Sequence, residues 1–473
     1  MAAKRLRQWT EQEGISSEIA RRLVMADGDL IDRQTTVAFR RSLLDFLGCA
    51  IGATQLPTSQ AISSFYQEMG GRSEASILGS PAKLPAPLAA FVNGALAHGL
   101  DFDEGHTAAG SHPGAVIFPA ALAAGQRQGA SFAQVMVATV LGYEVMLGLA
   151  QLIHPQSASC GWHNTGIAGV FGATAAAGKL YGLSAAQLAN GFGLAMSFAS
   201  GTLQFQDNGA DTKRLHAARA AHDGLIAAAL ADRHVTGPSR SLEGPYGFGR
   251  MFSGGDKNFS GLLSFAEPAL ITKTYFKPFV GNRHLHAALD ALLYLRNAHG
   301  LTADMIDAIS IHTYSSGVRG HTHLGARSAL DAQSSMPLMA AMVLIEGQAS
   351  PDTITRAGMR EDVRALAGSI SVHIDATYDA QYPRQRAARV AIVLKDGRIL
   401  NHAVSEPLGE HVNPLSEEAL ADKFRQNCRG KISAASAEML IERVCHVDRL
   451  ADVDSLLSGV ACGEGALLKR ATV

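Results

Sequence analysis

The sequence predicts a mainly α protein, with helical stretches at both chain ends (1–269 and 406–473) and a smaller inserted α+β segment at 270–405. Three observations predict this. Apolar and small residues recur at helical spacing through most of the first 269 positions. Strand-like alternation is confined to four short runs after residue 300, and helical periodicity returns from about residue 415. At 473 residues the chain is too long for one compact core and suits two or three domains.

Residues 16–30 and 32–53 read as helices, with Phe39, Leu43, Leu44 and Leu47 at helical spacing and the small residues Gly48 to Gly52 suited to close contact. Residues 57–80 read as a helix and a short connection, and 86–98 as an apolar helix. Pro113 and Gly114 start the next helix, because proline is tolerated in a first turn. Ser131-Phe-Ala-Gln134 and Ser184-Ala-Ala-Gln187 are capping boxes, in which the Ser hydroxyl and the Gln side chain each satisfy a free backbone donor. The first opens a helix to about Gln151 that is apolar almost all round, hence central; the second opens one that stops near Gly201. Between them lies a Gly/Ala-rich helix, Thr165 to Leu180. A polar run from Gln204 to His216 leads into a helix from Ala217 to Arg233, ended by Val235-Thr-Gly-Pro238. Within 270–405, Ala308–Tyr314, Ile370–Ile374, Ala388–Leu394 and Ile399–Val404 alternate like strands, the last two joined across Asp396-Gly397. Helices Arg283–Ala298 and Met336–Ile345 sit among them, and residues 415–465 are expected to pack back on the first helical part.

Composition narrows the function classes. A net charge of -1 gives no reason to expect nucleic acid or an anionic membrane as a partner. Five scattered cysteines without a CxxC pair exclude the usual zinc-ribbon and iron–sulfur spacings and fit a reducing cytoplasm. Residues 1–20 lack the apolar segment of a signal peptide, so a cytoplasmic location is expected. Val145 to Gly178 carries no Asp, Glu, Lys or Arg, but His154, Pro155, Gln156, His163 and Asn164 interrupt it. It reads as two buried helices and a polar loop rather than a membrane span. No GxGxxG follows a strand and no GxxxxGK[ST] occurs, so no nucleotide cofactor is expected.

Four clusters carry the chemistry. In Gly99 to Gly114, Asp101, Asp103, Glu104, His106 and His112 fall within twelve residues between two apolar helices. Ionisable groups so placed are expensive to bury unless each is paired or used. Gly161-Trp-His163-Asn-Thr-Gly166 puts a lone histidine at the mouth of a buried helix, a natural anion site or simply a polar contact. Asp211-Thr-Lys213-Arg214-Leu-His216 sets two cations just before a helix, suited to a carboxylate ligand or to a solvated turn. Lys277-Pro-Phe-Val-Gly-Asn-Arg283-His284-Leu-His286 lies at the predicted junction, where pockets tend to form. His284-x-His286 and His321-x-His323 offer metal donors, yet no His-x-x-x-His or Glu-x-x-His spacing supports them, and no catalytic metal is expected.

Taken together and in order, Asp45-Phe-Leu-Gly-Cys, Ala97-His-Gly-Leu-Asp-Phe-Asp-Glu, His112-Pro-Gly, Gly161-Trp-His-x-Thr-Gly, Thr212-Lys-Arg-Leu-His-Ala, Thr236-Gly-Pro and Lys277-Pro-Phe…Arg283-His-x-His resemble the MmgE/PrpD family over nearly the whole chain. The resemblance implies a large all-helical domain built from both chain ends, a smaller α+β lid, and a homodimer. It implies chemistry without a cofactor on a small polycarboxylate held between domain and lid. The matching pocket positions are Asp101, His112, His163, Lys213, Lys277, His284 and His286, and Tyr314 falls where a family tyrosine is expected. One departure is Gly105, where many members carry threonine; Thr107 is the nearby hydroxyl that could replace it.

The resemblance poses one chemical problem, a carbon acid beside a carboxylate. Proton loss there builds charge on an already negative group, so the site needs cations at the carboxylate and a base at the carbon. On this reading Lys213 and Lys277, helped by Arg214 or Arg283, hold substrate carboxylates; His163 is the base; and His112, ordered by Asp101, is the opposing acid. Dehydration of a 2-methylcitrate-like hydroxy acid is the expected reaction. Epimerisation of an iminodisuccinate-like substrate and decarboxylation of a cis-aconitate-type one use the same groups, and a non-catalytic carboxylate-binding protein is the alternative of another class.

Overall fold

The computed structural model of the protein describes residues 14–207, 209–259, 261–262, 268–326, 328–357 and 360–460. Its helices are α1 (Gly14–Met25), α2 (Arg33–Gly52), α3 (Pro57–Met69), α4 (Ala86–Ala97), α5 (Gly114–Gln128), α6 (Phe132–Ile153), α7 (Gly169–Leu180), α8 (Ala185–Phe198), α9 (Thr212–Asp232), α10 (His286–His299), α11 (Met336–Glu346), α12 (Glu417–Cys428) and α13 (Ala434–Cys445), besides shorter turns. Among the described residues six strands accompany them, so the fold is mainly α. A short pair the sequence pattern did not signal, β1 (Ala75–Ser76) and β2 (Lys83–Leu84), closes a tight turn after α3.

Packing of small residues sets the architecture. Helix α9 lies against α7 and α4, α6 against α7, and α4 against α5. At the α6–α7 crossing a Cβ on Gly172 would stand 2.6 Å from the Gly142 carbonyl oxygen, so only glycine allows that approach. Helix α6 is apolar and long enough to cross a membrane by length and composition, but 78% of its most apolar stretch is buried inside the fold. Both predicted capping boxes form, Ser131 with Gln134 and Ser184 with Gln187. The later sheet has the order β4-β3-β5-β6, from β3 (Ile306–Thr313), β4 (Ile370–Ile374), β5 (Ala388–Leu394) and β6 (Ile399–Val404). The β3–β4 pair is parallel, Ile309 opposite Ile370, and the other two pairs are antiparallel. Helix α10 covers β5 and β6. Near the end of the described chain, α12 packs on α2.

Two boundaries differ from the sequence reading in ways that matter. Helix α9 begins at Thr212, not Ala217, which brings Lys213 and Arg214 into its first turn. Cations there oppose the helix dipole, and carboxylates offset the cost: Lys213 meets Asp101 at 2.7 Å and Arg214 meets Asp211 at 3.4 Å. The expected helix Thr165 to Leu180 is split into Asn164–Ile167 and α7. Of the helical stretch expected over 415–465, helices form at Glu417–Cys428, Ala434–Cys445 and Val453–Leu457, and positions 461–465 lie outside the described residues.

Candidate active site

The loop between α4 and α5 contributes to a partly open cavity of about 120 Å³. His98 caps α4, its backbone N–H reaching the Gly94 carbonyl, and the chain then turns through Asp101 at φ +51°, a left-handed conformation for a non-glycine residue. The loop is pinned from three sides. Gly105 exchanges backbone hydrogen bonds with Tyr275; the Lys423 ammonium of α12 donates to the Phe102 carbonyl at 2.7 Å and to Asp45 Oδ1 at 2.6 Å; and Asp45 Oδ2 accepts from the Glu104 N–H at 2.8 Å.

Seven of the sequence-predicted residues line this one cavity: Asp101, His112, His163, Lys213, Lys277, Arg283 and His284. Asp101 Oδ2 lies 2.7 Å from Lys213 Nζ and Oδ1 lies 2.7 Å from Lys277 Nζ, so one carboxylate orients two ammonium groups. Burial pushes the Asp101 carboxyl up, but Lys213 and Lys277 outweigh it and hold it well below the usual carboxylate range. Burial lowers Lys213 despite Asp101, whereas at Lys277 the nearby Asp101 and Asp103 outweigh burial and raise it.

The histidines form the facing wall. His112 Nδ1 donates to the Glu104 carbonyl oxygen at 2.7 Å, which leaves Nε2 as the ring's acceptor. His163 and His216 meet Nδ1 to Nδ1 at 3.1 Å, a contact that holds a single proton. The His98 ring stacks on His163, centroids 5.8 Å apart, and donates from Nδ1 to Asp103 Oδ2 at 2.8 Å. Burial, helped by His98, His216 and Lys213, depresses His163 well below the ordinary histidine value. Burial likewise takes His112 down to about 3, with Asp103 opposing and Lys277 adding to the fall. His112 and His163 therefore both stand neutral at neutral pH.

Several expectations are corrected. Asp101 does not order His112: its oxygens are taken by the two lysines, and the carboxylate beside His112 is Asp103, 3.4 Å from Nδ1. That neighbour does not raise His112, because burial and cations prevail. Arg214 faces away, paired with Asp211 and lining a separate cavity of about 780 Å³, since a side chain one position after Lys213 leaves the helix at a different angle. His286 is fully buried outside the cavity, against Phe279 and bonded to Arg283 at 3.0 Å. Tyr314 is also buried outside the cavity and touches two residues that line it, its hydroxyl 2.7 Å from His284 Nδ1 and its ring stacked on Tyr382. Arg283 lines the cavity but is engaged by Glu410 at 3.1 Å and the Leu408 carbonyl at 3.1 Å. Thr107 does not stand in at Gly105; its hydroxyl donates to Glu410. A Cβ built on Gly105 would overlap the Tyr275 hydroxyl, so the tyrosine from the facing strand occupies that space and lines the cavity instead.

Sequence reasoning did not assign His154, Tyr275, Tyr382 and Arg386, which also line the cavity, nor His98 and His216 behind it. His98, Asp103 and His112 present donor atoms within 4.8 Å of one another, but Asp103 already accepts from His98, and Lys277, close enough to lower both Asp103 and His112, would repel a cation. The cluster is better suited to relay protons than to hold a metal.

Fold and cavity thus define a mainly helical protein with a chamber lined by histidines and cations. Its relatives agree. The MmgE/PrpD N-terminal domain matches residues 17–260 and the MmgE/PrpD C-terminal domain residues 279–448, and the chain belongs to the MmgE/PrpD family. Cis-aconitate decarboxylase of Homo sapiens is 26% identical over 452 residues, covering 91% of this chain and 90% of that protein. Cis-aconitate decarboxylase of Aspergillus terreus is 24% identical, covering 95% of this chain and 96% of its own. That of Mus musculus is 26% identical, covering 88% and 87%.

Proposed function

We propose that the protein is a lyase that decarboxylates a small polycarboxylate of the cis-aconitate type. One observation carries the reading: Lys213 and Lys277 share Asp101 in the same cavity that His112 and His163 line. The C–C bond to one carboxylate breaks and releases carbon dioxide. Its electron pair moves through the adjacent C=C toward a retained carboxylate, and the two ammonium groups stabilise the extended enediolate that results. A histidine N–H then delivers one proton to carbon, leaving a dicarboxylate one carbon shorter. The relatives named above favour this reaction over dehydration of 2-methylcitrate, which the same groups would begin by proton abstraction.

Proton NMR in deuterated buffer tests the reading, with cis-aconitate, 2-methylcitrate, citrate and iminodisuccinate as the panel. The expected outcome is loss of cis-aconitate with one solvent deuterium in the product. Loss of water from 2-methylcitrate with cis-aconitate untouched would overturn it in favour of dehydration. Binding without turnover of any of the four would leave a carboxylate-binding protein.

A further inference from the structure

Four cations line the cavity, and they are not alike. Lys213 and Lys277 share Asp101, and Arg283 is held by Glu410. Arg386, from the segment that leads into β5, has no acidic partner among the described residues. It is 6% exposed, its Nε has no hydrogen-bond partner, and its one described bond is a long contact of 3.4 Å from Nη2 to the Thr107 carbonyl. Glu410, whose carboxyl is within electrostatic reach of Arg386, is already bonded to Arg283 and Thr107.

A buried guanidinium left without a carboxylate is costly. The flank of the Tyr275 ring, 5.9 Å from the guanidinium carbon, offsets only part of that cost. On the same wall His154 Nε2 is buried and also unpartnered. Two residues that line one chamber and each hold an unsatisfied polar group point to an anion supplied from outside the chain.

We propose that Arg386 binds the substrate carboxylate that the lysine pair does not hold, and so sets the cavity's preference for a polycarboxylate over a monocarboxylate. This rests on the reading of the cavity as a polycarboxylate site. The planar guanidinium matches a carboxylate in two parallel hydrogen bonds, which an ammonium cannot reproduce.

The test uses tricarballylate, an unreactive tricarboxylate, as the binding probe in calorimetry, and cis-aconitate as the substrate. Arg386→Gln is expected to weaken tricarballylate about 30-fold or more and to raise KM for cis-aconitate in step, with kcat changed less than about threefold. Arg386→Lys keeps the charge and is expected to recover part of the affinity, with both variants melting near the wild type. Unchanged binding in Arg386→Gln overturns the assignment, as does equal weakening in the Gln and Lys variants. So does a collapse of kcat at constant KM. If the wild type binds tricarballylate through Arg386 yet turns over no cis-aconitate, the decarboxylase reading fails and the carboxylate site stands. If cis-aconitate is turned over and KM ignores Arg386→Gln, the reverse holds. A wild type that binds no polycarboxylate sinks both.

Discussion

Lys277 places its ammonium 2.7 Å from Asp101 Oδ1 and 2.9 Å from the Asp101 carbonyl oxygen, with no exposed surface of its own. Asp101 gives up favourable backbone geometry to make that contact, standing at φ +51°. Removing the carboxylate leaves a buried ammonium without its partner, so Asp101→Ala is expected to cost about 3–5 kcal/mol of stability. Asp101→Gly loses the same carboxylate but accepts the left-handed backbone, and is expected to be about 1 kcal/mol more stable than the Ala variant. Urea unfolding of the two variants checks this. An Ala variant as stable as the Gly variant would mean that the backbone here is unstrained.

Lys213 and Arg214 are neighbours in sequence with opposite fates, one in the cavity on Asp101 and one outside it on Asp211. Lys213→Ala and His163→Ala are each expected to lower kcat by about 10²- to 10⁴-fold. Arg214→Ala is expected to stay within about threefold, because it touches none of the reacting groups. A substrate-depletion assay on folded variants separates them, and near wild-type turnover of the Lys213 and His163 variants would refute the assignment of roles.

The single proton shared by His163 Nδ1 and His216 Nδ1 fixes which nitrogen of His163 can face the substrate. Burial is the main cause of the depressed His163 value, and His216 adds to it. His216→Phe is therefore expected to raise His163, to move the limb of the kcat/KM profile that His163 sets to higher pH and to lower the plateau about 10-fold. His216→Asn restores a hydrogen-bond partner and is expected to recover part of the plateau. An unmoved pH profile would reduce His216 to a packing residue.

Much of this was legible before any coordinates. The capping boxes at Ser131 and Ser184, and the strands Ile370–Ile374, Ala388–Leu394 and Ile399–Val404, follow from local rules and form where expected. Ionisable groups between apolar helices marked the loop, because burying them unused would be costly. What sequence could not give was direction. His284 and His286 are two positions apart, yet one lines the cavity and the other packs on Phe279, because His284 lies within a short 3-10 turn and His286 opens α10. Arg384, Arg386 and Arg389 look alike in the chain; only the fold buries Arg386 and leaves Arg384 exposed. Tyr275 fills the space left by Gly105 from 170 positions away, a complementarity visible only once the two segments are paired.

Beneath the loop, Glu104 accepts from the Ser42 and Tyr143 hydroxyls, and burial pushes its carboxyl up to about 8. An unfolded glutamate releases its proton near its ordinary value, so between that value and about 8 the folded state holds more protons than the unfolded one. Stability from this group is complete at acid pH and is lost as pH rises toward 8. Glu104→Gln cannot ionise and keeps both a donor and an acceptor. Its melting temperature is expected to fall less than the wild type's between pH 5 and pH 9. Parallel curves for the two proteins would show that Glu104 does not ionise abnormally.

The proposed decarboxylation consumes a proton, yet burial holds His112 at about 3 and His163 well below the ordinary value, so neither ring is an imidazolium at neutral pH. A bound polyanion reverses the balance, since negative charge beside an imidazole favours its protonated form. Binding is therefore expected to draw a proton from solvent onto one of these rings, and affinity is expected to fall as pH rises through the value that ring has in the complex. Calorimetric titration of tricarballylate at pH 7, in buffers of different ionisation enthalpy, measures the uptake directly. His112→Gln and His163→Gln, made separately, tell which ring receives it: the variant in which uptake disappears identifies the acid that protonates carbon. Binding with no proton uptake in the wild type would mean that the proton comes from a group other than these two histidines, and the roles assigned to them would fall.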